Sequence, residues 1–104
     1  MMASRIETLE QLLAQDSTDT TLHYMLGNEY FNAQMYDRAV TVLRQYLSLT
    51  DDEGAAYRLL AQSLDRLGKI PEARQAYQDG LAAAKRHGHQ PMIEEYTQAL
   101  KDSE

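Results

Sequence analysis

A chain of 104 residues has room for one domain with a real core, but not for that core plus a separate catalytic module. The composition, 43% apolar and 25% charged, suits a globular chain, and no apolar run approaches the roughly 20 residues that cross a bilayer. A net charge of −6 spread along the sequence repels phosphate backbones and anionic membrane surfaces, and the absence of cysteine removes disulfides, thiolate metal sites and thiol nucleophiles together.

The start, Met1-Met2-Ala3-Ser4-Arg5, runs into an amphipathic segment without an apolar h-region or a small-residue cleavage site. With no cysteine to stabilise in an oxidising compartment, the expected location is cytoplasmic. Ser4 and Glu7 have the spacing of a capping box, and Ile6, Leu9, Leu12 and Leu13 follow at helical intervals, which predicts a first helix over 5–15. Asp16-Ser17-Thr18-Asp19 is a cluster of turn and N-cap residues. Beyond it, Leu22, Met25, Leu26, Tyr30 and Ala33 form one stripe of a second helix over about 20–33.

Tyr36, Ala39, Val40, Leu43, Tyr46 and Leu47 share one face of a third helix that ends before Thr50-Asp51-Asp52. The run Asp51-Asp52-Glu53 reads as acidic charge favoured at the start of the next helix. That fourth helix carries Ala56, Tyr57, Leu60, Ala61, Leu64 and Leu67, and Gly68 stands where a left-handed residue closes a helix. Pro71 opens a fifth helix with Ala73, Ala76, Tyr77, Gly80, Leu81 and Ala84 inward. Lys85, Arg86 and His87 face the negative end of its dipole, and Gly88 ends it. Pro91 starts an amphipathic sixth helix over 91–102, with Met92, Ile93, Tyr96, Ala99 and Leu100 on its apolar side.

One pattern is written twice, 34 residues apart: Leu26-Gly27, Tyr30 and Ala39 recur as Leu60-Ala61, Leu64 and Ala73. Small residues stand where helices would cross, and large apolar ones fill the space between. A first unit from Thr20 sets His23, Leu26, Gly27, Tyr30, Ala39, Leu43, Tyr46 and Asp51 at the positions that Tyr57, Leu60, Ala61, Leu64, Ala73, Tyr77, Gly80 and Lys85 take in a unit from Gly54. This set resembles the tetratricopeptide repeat (TPR) family. Two departures stand out: Asp51 and Lys85 replace a final proline, and Tyr46 is bulky where the family prefers alanine. The resemblance implies an all-α, right-handed stack of antiparallel helix-turn-helix units. Repeats over 20–53 and 54–87 would lie between a half-repeat helix over 5–15 and a capping helix over 91–102.

TPR proteins mostly bind other proteins, and the resemblance implies a concave groove lined by the first helix of each repeat. The partner-binding candidates carried over are Tyr24, Asn28, Phe31 and Asn32 from the first repeat, flanked by Thr21, and Arg58, Gln62, Asp65 and Arg66 from the second, flanked by Ala55. Amides can bond a peptide backbone, the arginines can hold a carboxylate, and Tyr24 and Phe31 offer apolar contact. A two-carboxylate clamp, as in one family subset, does not fit, because only Asn28 matches while Tyr24 and Leu59 replace its Lys and its second Asn. The expected function is a non-catalytic interaction module for a protein or peptide. The alternative is a scaffold that self-assembles, as a possible homodimer, through its end helices, Met92, Ile93 and Tyr96 meeting another copy. Either the chain's own last helix or a partner would then occupy the groove.

No nucleophile elbow, phosphate loop or H-E-x-x-H motif is present, so no enzyme activity and no cofactor are expected. His87-Gly88-His89 lacks further ligands, so no metal is expected, and His23 reads as a packed, hydrogen-bonded histidine. Lys85-Arg86 is too short a basic stretch for nucleic acid.

Overall fold

The computed structural model describes residues 4–103, so Met1-Met2-Ala3, read above as lacking an export signal, lie outside the described residues. Six helices follow in order: α1 Arg5–Gln15, α2 Thr20–Asn32, α3 Tyr36–Leu49, α4 Ala55–Arg66, α5 Ile70–Arg86 and α6 Gln90–Asp102. No strand occurs among the described residues. Each helix packs on the next, and α2 also lies against α4, giving a stack 46 × 28 × 19 Å in extent.

Local chemistry sets the boundaries. The Ser4 hydroxyl accepts from the Glu7 N–H at 3.1 Å, and the Asp19 carboxylate accepts from the Leu22 N–H at 3.1 Å, so α1 and α2 begin on side-chain caps. Helices α2 and α4 end in the same way. A residue in the left-handed region, Gln34 at φ 61° or Gly68 at φ 77°, lets the next N–H reach back to the carbonyl of Tyr30 (2.8 Å) or Leu64 (2.9 Å). Gly88 closes α5 likewise, with the His89 N–H on the Ala84 carbonyl at 2.9 Å.

The core is the repeated pattern made physical. Leu26, Ala39, Leu43, Ala61, Leu64 and Ala73 are almost wholly removed from water. A methyl group on Gly27 would stand 2.5 Å from Leu43 Cδ2, so that glycine is what lets α2 and α3 approach. Tyr30 is buried, its hydroxyl donating to Glu10 at 2.5 Å; burial first, and that bond second, push its pKa up to about 12.

The α3–α4 connection departs from a simple acidic helix start. Asp52 is only 9% exposed; it accepts from the N–H groups of Gly54 (2.8 Å) and Ala56 (3.0 Å) and from the Tyr46 hydroxyl (3.0 Å). It is a buried cap rather than part of a solvated run. Its neighbour Asp51 accepts from Arg86 at 3.0 Å and sits 3.1 Å from His87 Nε2, tying the loop to the far end of α5. Those bonds, the one from Arg86 foremost, hold the Asp51 carboxyl below its usual range. Two of the three residues that depart from the repeat pattern, Tyr46 and Asp51, thus fasten one loop, and His87 has a partner that its place at a helix end did not reveal.

Candidate functional site

Helices α2 and α4, which carry the candidate residues, lie against each other. On α2, Asn28, Asn32 and Thr21 are exposed, while Tyr24 and Phe31 are half-buried. The Tyr24 ring leans on Tyr46 of α3 with centroids 5.4 Å apart, and Phe31 meets Tyr36 edge-on at 5.6 Å. The aromatic side chains are therefore held in place from behind by α3, which limits the entropy they would lose to a ligand.

On α4 the candidates divide. Arg66 reaches Tyr36, donating to its hydroxyl at 2.9 Å with the guanidinium carbon 5.8 Å from the ring centroid. Phe31, Tyr36 and Arg66 thus form one cluster across α2, α3 and α4. Arg58 points the other way along the stack, into a two-point bond with Glu95 of α6: Nε to Oε2 at 2.5 Å and Nη2 to Oε1 at 2.7 Å. That bond, more than any other influence, holds the guanidinium pKa above its usual range. Asp65 receives a long bond from the Tyr77 hydroxyl at 3.4 Å; Gln62 and Ala55 are half-buried.

The last helix is seated by size. Tyr96 is fully buried, and its hydroxyl donates to the Gly54 carbonyl. A methyl group on Gly80 would come within 3.0 Å of Tyr96 Cζ and 2.9 Å of Tyr57 Cβ, while one on Gly54 would press on Met92 Sδ at 3.0 Å. Gly80 stands 34 residues after Tyr46. At the first junction, then, the second helix of the repeat supplies the large ring, and at the second junction it supplies the space for one.

On the other side of α2, a cleft of about 410 Å³ runs between α1 and α3 over Leu13, Leu26 and Val42. Among the described residues no three His, Cys, Asp or Glu side chains converge on a common point, and no helix is long and apolar enough to cross a membrane. His23 is buried, with Nδ1 2.8 Å from the Asp19 carbonyl oxygen.

Comparison with known proteins agrees with this architecture. Residues 1–80 match the family model described as anaphase-promoting complex, cyclosome, subunit 3. The TPR repeat-containing protein PA0015 of Pseudomonas aeruginosa is 32% identical over 96 residues, covering 92% of this chain and 91% of the relative. This chain belongs to the TPR family. The solution structure of protein BPP2914 from Bordetella parapertussis superposes with a TM-score of 0.82 at 32% identity, over 98% of this chain and 89% of that one. TPR proteins generally mediate protein–protein interaction and are typically non-catalytic.

At both ends of the stack, places that the repeats fill with apolar or small residues carry polar ones. The places of Leu26, Gly27 and Tyr30, which recur as Leu60, Ala61 and Leu64, are taken in α6 by Glu94, Glu95 and Gln98, all exposed. At the front, Arg5 and Thr8 of α1 stand where later repeats bury Ala39 and Val42 or Ala73 and Ala76. The sequence reading missed Tyr36, placed there on the apolar face of the third helix, and Glu95, which lies off the apolar side given there for the sixth helix. A guanidinium on a candidate groove position, facing a helix rich in glutamate, was the available signal for Glu95.

Proposed function

We propose that this TPR chain is a non-catalytic adaptor that holds a protein or peptide along the face of α2 and α4, in the cytoplasm. The observation that carries the reading is the exposure of Asn28 and Asn32 beside Tyr24 and Phe31, whose rings are braced by Tyr46 and Tyr36. Amides beside fixed, partly open aromatic rings offer backbone hydrogen bonds and apolar contact to an extended segment. Assembly through the end helices has less support. Met92 and Tyr96, two of the side chains it needs, are buried against the chain's own α4 and α5, and Arg5 and Thr8 of α1 and Glu94, Glu95 and Gln98 of α6 are exposed and polar.

The test is co-purification from native extract with mass-spectrometric identification, comparing wild type with Asn28→Arg/Asn32→Arg. Both positions are exposed, so the fold should keep its stability within about 0.5 kcal/mol while captured partners are lost. Identical partner sets from the two proteins would refute a role for this face. Light scattering on the same samples should read a monomer; a dimer abolished by Ile93→Asp would restore the scaffold reading.

A further inference from the structure

We infer that Glu95 is a built-in competitor for Arg58, and that the partner class served by this part of the face presents a carboxylate that exchanges with it. The inference rests on the α2–α4 reading above and adds to it the chemistry of one contact. Arg58 offers two N–H groups side by side, and Glu95 meets them with one oxygen each, at 2.5 and 2.7 Å. A group with two acceptor oxygens side by side reproduces that geometry, which a carboxylate or a phosphate does and an amide does not; the carboxylate is the group that Glu95 itself presents. The pair is open to solvent, with side chains 36% and 41% exposed, so an incoming group can reach it and its net strength is that of a surface ion pair.

Helix α6 does not depend on Glu95 for its seat. Tyr96 and Met92 are buried, the Tyr96 hydroxyl is bound to the Gly54 carbonyl, and Arg74 holds the other end by donating to the Leu100 carbonyl at 3.1 Å and the Ser103 hydroxyl at 2.6 Å. Glu95 can therefore swing away while the helix stays docked. A cation that is masked most of the time binds more weakly in proportion to the fraction left open. The acid on α6 thus raises the threshold for weak or accidental acidic ligands, and a partner that also engages α2 overcomes it.

The test uses the full chain and follows the backbone amide resonances of α4 and α6 by ¹H–¹⁵N NMR, which wild type and both variants share. Three Gly/Ser octapeptides serve as probes: one with a single internal Glu and an amidated end, one with no acid but a free C-terminal carboxylate, and one with neither. Glu95→Gln should bind at least one of the acidic peptides about three- to fivefold more tightly than wild type. Arg58→Gln should lose that binding, and the preferred peptide tells side-chain from terminal carboxylate. Equal affinity for wild type and Glu95→Gln, equal binding of the uncharged peptide, or no binding to Glu95→Gln would each overturn the inference. So would loss of the Tyr96 and Gly54 signals in Glu95→Gln, which would make Glu95 a structural anchor. The capture comparison with Asn28→Arg/Asn32→Arg reads α2 alone, so it stays positive if only this inference fails.

Discussion

Gln34 and Gly68 occupy the same place in successive repeats, each closing the first helix of its unit with a left-handed backbone, at φ 61° and 77°. The hydrogen bonds match as well: the N–H groups of Gln34 and Gly68 each donate at 3.0 Å, to Phe31 and Asp65, and those of Met35 and Lys69 reach back to Tyr30 and Leu64. A side chain in this conformation costs about 1–2 kcal/mol, whereas glycine costs about 0.5–1 kcal/mol in chain entropy on folding. Gln34→Gly should therefore stabilise the fold by about 1 kcal/mol and Gly68→Gln destabilise it by a similar amount, or about 4–8 °C in Tm each way for a domain of this size. A side chain at Gly68 meets no atom within 4 Å, and Gln34 is exposed, so packing does not enter. Urea unfolding followed by circular dichroism reads both, and the exchange Gln34→Gly/Gly68→Gln should return near wild type because the two sites share no contact. A Gln34→Gly protein no more stable than wild type, or an unaffected Gly68→Gln, would refute the argument that backbone strain is stored at Gln34.

Tyr96→Ala should cost about 3–5 kcal/mol, as removal of a buried aromatic side chain does, and should free α6 first; hydrogen exchange would show residues 90–102 losing protection ahead of α2 and α3, and simultaneous loss everywhere would count against a separately seated cap. Tyr30 and Tyr46 have pKa values pushed up to about 12, by burial first and then by bonds to Glu10 and Asp52. The folded state thus holds those protons more tightly than the unfolded chain, whose phenols titrate near 10. Their contribution is complete below about pH 10 and lost as pH rises through 12. Tyrosinate absorbance should rise together with loss of helix in that window, and titration of all tyrosines with the helix intact would refute the assignment.

What could be read in advance followed the range of each interaction along the chain. Ser4 with Glu7, Asp19, Gly68 and Gly88 act within four residues, so the helix boundaries they set were legible. The left-handed turn at Gln34 was not, because glutamine carries no local signal for that conformation and only the repeat register points to it. Asp52 looked like one acid among three; its burial depends on the Tyr46 hydroxyl arriving from another helix. At the candidate face, the resemblance named positions but not their neighbours. Arg58 meets Glu95 across 37 residues, and only the seating of α6 decides that contact. Tyr36 was hidden for a related reason: its spacing fits the buried stripe of α3, yet it stands half-buried between Phe31 and Arg66.

The register of the stack is written in charge as well as in size. Glu10 of α1 lies 3.9 Å from Arg38 of α3, and Arg44 of α3 lies 3.3 Å from Glu72 of α5. Glu10 and Arg44 are equivalent positions 34 residues apart, and so are Arg38 and Glu72, yet the sign of each is reversed between the two junctions. As surface pairs they stabilise little, roughly 1 kcal/mol or less apiece. Their reversal nevertheless discriminates: α3 presents cations to both sides, so a second α3 in the place of α1 or α5 would set arginine against arginine. With α3 restricted to the centre by charge and α6 seated by the space at Gly80, two repeats of the same fold cannot exchange places without penalty. Such asymmetry lets the face between them carry different chemistry on its two halves: uncharged amides on α2, and a guarded guanidinium on α4.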